Sequence, residues 1–417
     1  MTDATLPPAR HSYRWTICAL LFLVTTVNYV DRQVLGILAP TLQSELHWSE
    51  SQYGDVVSAF TFVYAFGFLF AGWWLDRVGV RRGFATAVVV WSLAAMGQAL
   101  ARTTAAFYAA RAMLGLGESA NFPGAIKTVA EWFPKEERAL ATGLFNAGTN
   151  TGAIVTPLIV PWIALTWGWR WAFVVTGSLG FLWLALWLAL YRNPPAAAAA
   201  AREPDDASRP PWIRFLGFRQ TWAIIAGKLL ADPIWWFYLY WLPKFLDAKY
   251  GVNLAHVALP LIVVYVVADV GSITGGWLSG SLIHRGWTAN RARKTAMLLM
   301  ALVIVPTAFA PRAGSMWTAV LIVSVAAAAH QGWSANVYTL ASDMFPRSAV
   351  ASISGIGGFA GAVGGVLFQR ATGRILDANG HDYTPIFLVC GVAYVTAWGI
   401  IQLLAPTLEP VRVKELP

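Results

Sequence analysis

Twelve runs of roughly 20 apolar residues occupy nearly the whole chain, and that is the length at which a helix crosses the ~30 Å hydrocarbon core of a bilayer. They fall at 15–38, 53–75, 83–101, 106–131, 139–162, 169–191, 219–246, 256–282, 294–311, 315–342, 348–370 and 384–405. Backbone groups in lipid must be satisfied within the segment, so each run is expected to be a helix. The alternation that a membrane barrel needs is missing. Composition agrees: 57% of the residues are hydrophobic and 12% charged, against ~25% charged in soluble domains. A disordered chain is excluded and a soluble enzyme strongly disfavoured. Cys18 and Cys390 both lie inside apolar runs, so no disulfide framework or metal-ligand spacing is present. The polar segment Met1–Arg14 leads into a run that passes Asp31 without a small-residue cleavage site, which reads as a first span and not a removable signal peptide.

The net charge of +9 could point to nucleic acid, but its distribution points to topology. With twelve spans, both termini share one side. That side carries 19 Lys and Arg, the other side 7, and 4 lie within spans (Arg32, Arg111, Lys127 and Lys228). The bias places both termini in the cytoplasm. No nucleic-acid partner is expected.

The longest polar stretch, 192–218, contains Asn193-Pro194-Pro195, an alanine run, Glu203-Pro204-Asp205-Asp206 and Pro210-Pro211. It reads as a flexible cytoplasmic linker between a bundle at 15–191 and a second at 219–405. The halves echo one another at an offset of 212. Glu131-Trp132-Phe133-Pro134-Lys135 matches Asp343-Met344-Phe345-Pro346-Arg347, and Gly143 and Gly152 match Gly355 and Gly364. The loop after span 2, Gly72-Trp73-Trp74-Leu75-Asp76-Arg77-Val78-Gly79-Val80-Arg81-Arg82, has a weaker echo in Gly276-Trp277-Leu278-Ser279-Gly280 followed by a basic cluster. Two six-helix repeats around a midplane site are an established transporter plan.

The loop at 72–82 resembles the signature loop of the major facilitator superfamily, G-x-x-x-D-R-x-G-x-R-R. Asp76 there can pair with basic groups and latch helices that must part, with Arg77, Arg81 and Arg82 at the headgroups. The simpler reading makes the arginines topology anchors alone. Further strings narrow the resemblance: Asn28-Tyr29-Val30-Asp31-Arg32 in span 1, Arg111 to Pro123 in span 4, Asp232 to Lys244 in span 7 and His330-Gln331-Gly332-Trp333-Ser334-Ala335-Asn336 in span 10. Together they resemble the anion:cation symporter family, and most closely its hexuronate transporter branch. The resemblance covers nearly all of 15–405. It implies an all-α fold of twelve transmembrane helices in two pseudo-symmetric bundles, and carriage of sugar acids such as glucuronate and galacturonate together with protons. It further implies an inner-membrane protein working as a monomer by alternating access, without cofactor, and coupling acids at Asp31 and Glu118.

The midplane charges can also be read directly. A charge at the bilayer centre costs about 2.5–3.5 kcal/mol on insertion scales, so Asp31, Arg32, Arg111 and Glu118 must face one another or water. At 1.5 Å per residue, Asp31 and Arg32 lie roughly 24–26 Å from the start of span 1 and Arg111 about 7 Å below the other face. Glu118, two turns after Arg111, shares its helix face. The expectation is a column with Asp31 and Arg32 beside Arg111, and Glu118 below. Either it is a structural ion-pair network or it couples protons, with Arg32 clamping a substrate carboxylate or merely neutralising Asp31.

Tyr29, Tyr64 and Asn121 are cavity candidates in the first half. In the second half, Lys228 and Asp232 at i, i+4 are a structural pair or a substrate contact. Trp236 and Tyr238 can stack on sugar C–H groups or pack in lipid, whereas Tyr240 and Trp241 read as interfacial belt residues. Lys127 is expected to snorkel. His330 stands at the repeat equivalent of Glu118, near the midplane, with Trp333 and Asn336 close by. Uniport or exchange without protons remains open, as does a non-transporting sensor of the same fold. A membrane enzyme would need a catalytic constellation, and no nucleotide loop, zinc spacing or nucleophilic triad is arguable.

Overall fold

The computed structural model describes residues 8–133, 137–193, 212–345, 347–409 and 411. They form helices α1 (Pro8–Ile37), α2 (Ala39–Leu46), α3 (Glu50–Val78), α4 (Val80–Gly97), α5 (Thr104–Glu118), α6 (Asn121–Trp132), α7 (Arg138–Trp167) and α8 (Trp169–Leu190). After the linker, of which 194–211 lie outside the described residues, come α9 (Arg219–Tyr250), α10 (Ala258–His284), α11 (Ala289–Ile304), α12 (Met316–Met344), α13 (Arg347–Ala378) and α14 (Thr384–Leu404). The protein is an all-α polytopic membrane protein. Among the described residues, nine helices are both long and apolar enough to cross a bilayer. The other three expected spans are α5 with α6, α9 and α12. α5 and α6 are each too short alone, at 15 and 12 residues, while α9 carries Lys228 and Asp232 and α12 carries His330.

Span 4 departs from expectation. It is not one helix over 106–131 but two, interrupted at Ser119-Ala120. Pro123 explains the break: it offers no N–H to the carbonyl of Ser119, and its ring clashes with that carbonyl. Ser119 Oγ turns back to donate to Leu116 O at 2.7 Å. The start of α5 is fixed by Thr103, whose Oγ1 accepts from Ala106 N at 3.2 Å.

The chain divides into two compact units, Met1–Val34 with Val63–Glu203, and Leu35–Phe62 with Pro204–Pro417. The repeat is visible inside each. In the first unit Gly152 of α7 lies on α1, where a Cβ would stand 2.7 Å from Thr26 O and from the Tyr29 Cβ. In the second, its repeat partner Gly364 lies on α9, with a Cβ 2.4 Å from Leu229 O and 2.9 Å from Pro233. The offset of 212 therefore preserves a backbone contact that seats the first helix of each half. Gly143 and Gly355 repeat at the same offset with nothing within 4 Å of a Cβ. A close backbone crossing joins α10 to α12, where a Cβ on Gly275 would fall 2.1 Å from the Gly332 Cα. Asn336 ties the same crossing, donating to Gly275 O at 3.1 Å and Gly332 O at 2.9 Å.

Tyr240 and Trp241 are not belt residues. Both are fully buried. Tyr53 packs on Trp241 and donates its hydroxyl to Tyr240 O at 2.6 Å, and Trp241 donates its indole N–H to Gln369. Depth along α9 suggested an interface; the helix face decides otherwise. Trp73, Trp162, Trp167, Trp171 and Trp277 are exposed near helix ends, as a membrane belt requires.

Candidate functional site

In the first unit the charges meet as a pair and not as a simple column. Arg32 donates from Nε (3.1 Å) and Nη2 (2.9 Å) to Glu118 Oε2, and from Nη2 to Asn28 Oδ1 at 3.2 Å. Its guanidinium lies 4.8 Å from the Tyr29 ring centroid and 4.9 Å from that of Tyr64. Arg32 and Glu118 are 4% and 0% exposed, so the pair is desolvated, and removing either partner would strand a buried charge. Arg32 binds Glu118 and not its chain neighbour Asp31, because successive side chains on a helix point about 100° apart.

Asp31 instead sits beside Thr176 of α8, within electrostatic reach of Glu118, and Arg111 is within reach of the same glutamate. Both are buried. Glu118 is the last residue of α5, directly before the helix break. Asn121 opens α6 fully buried, and its amide N and O find no partner among the described residues. An interrupted helix carrying such groups is the arrangement found where transporters bind solutes at mid-membrane.

In the second unit Lys228 bonds Asp232 at 2.8 Å and donates to the Tyr338 hydroxyl at 3.2 Å, with its ammonium 4.4 Å from the Tyr338 ring centroid. Glycines of α13 press on this pair: a Cβ at Gly361 would stand 2.3 Å from Asp232 Oδ2. His330 is buried on α12, stacked on Trp235 at 5.4 Å and bonded through Nδ1 to the Tyr394 hydroxyl at 2.6 Å. Trp333 packs edge-on against Tyr394 at 5.4 Å. Tyr238 is buried with its hydroxyl 3.1 Å from Thr307 Oγ1, and Trp236 neighbours Phe60 and Tyr240. Thus Lys228 and His330 belong to polar clusters, whereas Tyr238, Trp333 and Asn336 are held in packing contacts.

A model of the Major Facilitator Superfamily matches residues 21–369. The chain belongs to the major facilitator superfamily. Among curated members it is 31% identical to the hexuronate transporter of Escherichia coli (strain K12) over 409 residues, covering 93% of this chain and 94% of that one. It is 32% identical to the galacturonate transporter of Dickeya chrysanthemi over 308 residues, 70% of this chain and 89% of that one. Two solved structures share the fold. A D-xylose-proton symporter has a TM-score of 0.78 at 18% identity, covering 96% of this chain and 100% of that one. A bacterial homolog to the human lysosomal transporter Spinster has a TM-score of 0.75 at 20% identity, covering 95% and 97%.

The superfamily's loop can now be placed. The side chain of Asp76 lies outside the described residues. Arg77 stacks on Trp73 at 5.7 Å, Arg81 donates to Leu188 O at 2.7 Å, and Arg82 is exposed. Lys127 does not snorkel to headgroups; its ammonium donates to Leu75 O at 2.9 Å, near the end of α3. The second-half echo carries its own tie: Arg293 bonds Asp343 at 3.2 Å and Ser279 Oγ at 2.9 Å. Sequence reasoning did not single out Thr176, Trp235, Tyr338 or Tyr394. It also overlooked a cluster in which buried Glu50 and Lys244 bond one another, exposed His381 lies 3.4 Å from Glu50, and exposed Asp377 accepts the backbone N–H groups of Glu50 and Ser51 at 2.9 Å.

Proposed function

We propose that the protein imports a sugar acid together with protons, and that its substrate is a hexuronate such as glucuronate or galacturonate. The observation that carries this reading is the buried Arg32–Glu118 pair between Tyr29 and Tyr64. Arg32 is the cation best suited to a substrate carboxylate, since a guanidinium binds that group bidentately, but here Glu118 occupies its donors. Protonating Glu118 cancels the charge it offers Arg32 and frees the guanidinium for the incoming anion. The proton and the anion are then favoured together, which is the thermodynamic content of symport. Asp31, beside Thr176 and in reach of Glu118, serves as the second acid, with Arg111 biasing Glu118 from the other side. The similarity to a hexuronate transporter and a galacturonate transporter supports a sugar acid as the solute.

In this reading Lys228, Tyr338 and His330 form a polar cluster of the second unit suited to a sugar acid, and Asp76 with its arginines latches the cytoplasmic face. Both termini are cytoplasmic, the membrane is the inner membrane, and one copy of the chain suffices. The test is uptake of radiolabelled glucuronate into proteoliposomes with and without an inward proton gradient. Accumulation above equilibrium only with the gradient supports the proposal. Equal uptake in both conditions would leave a uniporter, and no uptake of any hexuronate would remove the substrate assignment.

A further inference from the structure

The geometry points to His330 as a hydrogen-bond acceptor that reads a substrate hydroxyl through Nε2, its tautomer set by Tyr394 and its plane by Trp235. The inference rests on the sugar-acid reading above and adds the residue that recognises the polyol part.

The argument follows one proton. The Tyr394 hydroxyl donates to Ala231 O at 3.2 Å. A carbonyl can only accept, and a phenol has one proton, so with that proton given to Ala231 O the same oxygen accepts from its other neighbour, His330 Nδ1, at 2.6 Å. Nδ1 therefore carries the proton. In a neutral imidazole the other nitrogen is then a bare acceptor. Nε2 has no partner among the described residues. The Nδ1 bond to Tyr394 sets which nitrogen faces which way, and Trp235, 5° from parallel at 5.4 Å, sets the ring plane. No carboxylate contacts the ring among the described residues, so nothing there stabilises an imidazolium.

The face is also the appropriate one. His330 is within electrostatic reach of Lys228, and Tyr338, the partner of Lys228, is 55% exposed. A cation for an anionic or polar end and a lone pair for a hydroxyl thus lie within electrostatic reach of one another in the second unit. A buried acceptor is discriminating: an analogue lacking the hydroxyl leaves it unpaired.

Two measurements test this. In protein labelled with 15N-histidine, the His330 ring is assigned from the signals lost in His330→Gln. The expected pattern is protonated Nδ1 and bare Nε2, a shift of the Nε2 signal alone when glucuronate binds, and mixed tautomers in Tyr394→Phe. Second, binding of a panel of monodeoxy glucuronates should show one analogue about tenfold weaker than glucuronate, with the difference shrinking to within about twofold in Tyr394→Phe. A role confined to packing would move neither the tautomer nor the analogue pattern. A protonated Nε2 in the wild type overturns the inference. So does bound glucuronate that leaves the Nε2 signal unmoved, or deoxy discrimination that survives intact in Tyr394→Phe; either of these leaves the transport reading standing. Failure of any hexuronate to bind overturns both together.

Discussion

Replacing Arg32 with lysine separates a carboxylate clamp from a counter-ion. Arg32 offers two donors to one oxygen of Glu118, at 3.1 and 2.9 Å, and lies between two tyrosine rings at 4.8 and 4.9 Å. Lysine keeps the charge, so Glu118 stays paired and the fold is expected to survive, but the planar fork and the Nε donor are lost. One charge-assisted hydrogen bond is worth about 1.5–3 kcal/mol, which corresponds to roughly 10- to 150-fold in Kd. Titration calorimetry in detergent should show Arg32→Lys binding glucuronate weaker by a factor in that range, with a thermal unfolding midpoint near that of the wild type. Glucose, which lacks the carboxylate, should bind poorly to both. A lysine variant that is folded and binds glucuronate within about threefold of wild type would refute the clamp and leave Arg32 as a counter-ion to Glu118.

Glu118→Gln should abolish gradient-driven accumulation and remove the pH dependence of glucuronate binding, while counterflow exchange in proteoliposomes persists; full accumulation would exclude Glu118 as the proton carrier. Glu50→Gln should lower thermal stability by about 3–5 kcal/mol by stranding Lys244, and adding Lys244→Met should recover part of it; identical unfolding midpoints for all three proteins would contradict a stabilising bridge. Gly275→Val should destabilise by ~1–3 kcal/mol or more, since its Cβ meets Gly332 at 2.1 Å; a thermal shift in detergent reads this directly. Single cysteines placed in 196–208 should resist labelling from outside intact cells, and ready labelling would reverse the orientation.

Span positions and the pairing of halves were legible because both are periodic. Apolar length sets a helix, and an offset of 212 ties Gly152 to Gly364. Close glycine packing appears where Gly361 and Gly364 meet α9. The break after Glu118 had a local signal in Pro123 that the surrounding hydropathy masked. What sequence depth could not supply was azimuth. Asp31 and Arg32 are at one level yet turn apart, Asp31 toward Thr176 and Arg32 onto Glu118, and Tyr240 and Trp241 lie at belt depth on an inward face. Tyr394 and Trp235 were illegible for another reason: an apolar span full of aromatics gives no sign of which ring will support a histidine 60 to 100 residues away along the chain.

The crossing of α10 and α12 has a mechanical consequence. Where Gly275 meets Gly332 the two backbones touch, with no side chains between them whose rotamers could absorb a slide. The two helices act as one stiff beam, and His330 is mounted on it. α9 is the opposite case. Pro233 and Pro243 each remove a rung from its hydrogen-bond ladder, so the helix is compliant just beyond Lys228 and Asp232. A bend of α9 at these rungs would move Lys228 and Asp232 relative to the paired α10 and α12. The cation is carried by the spring, and the histidine stays with the frame.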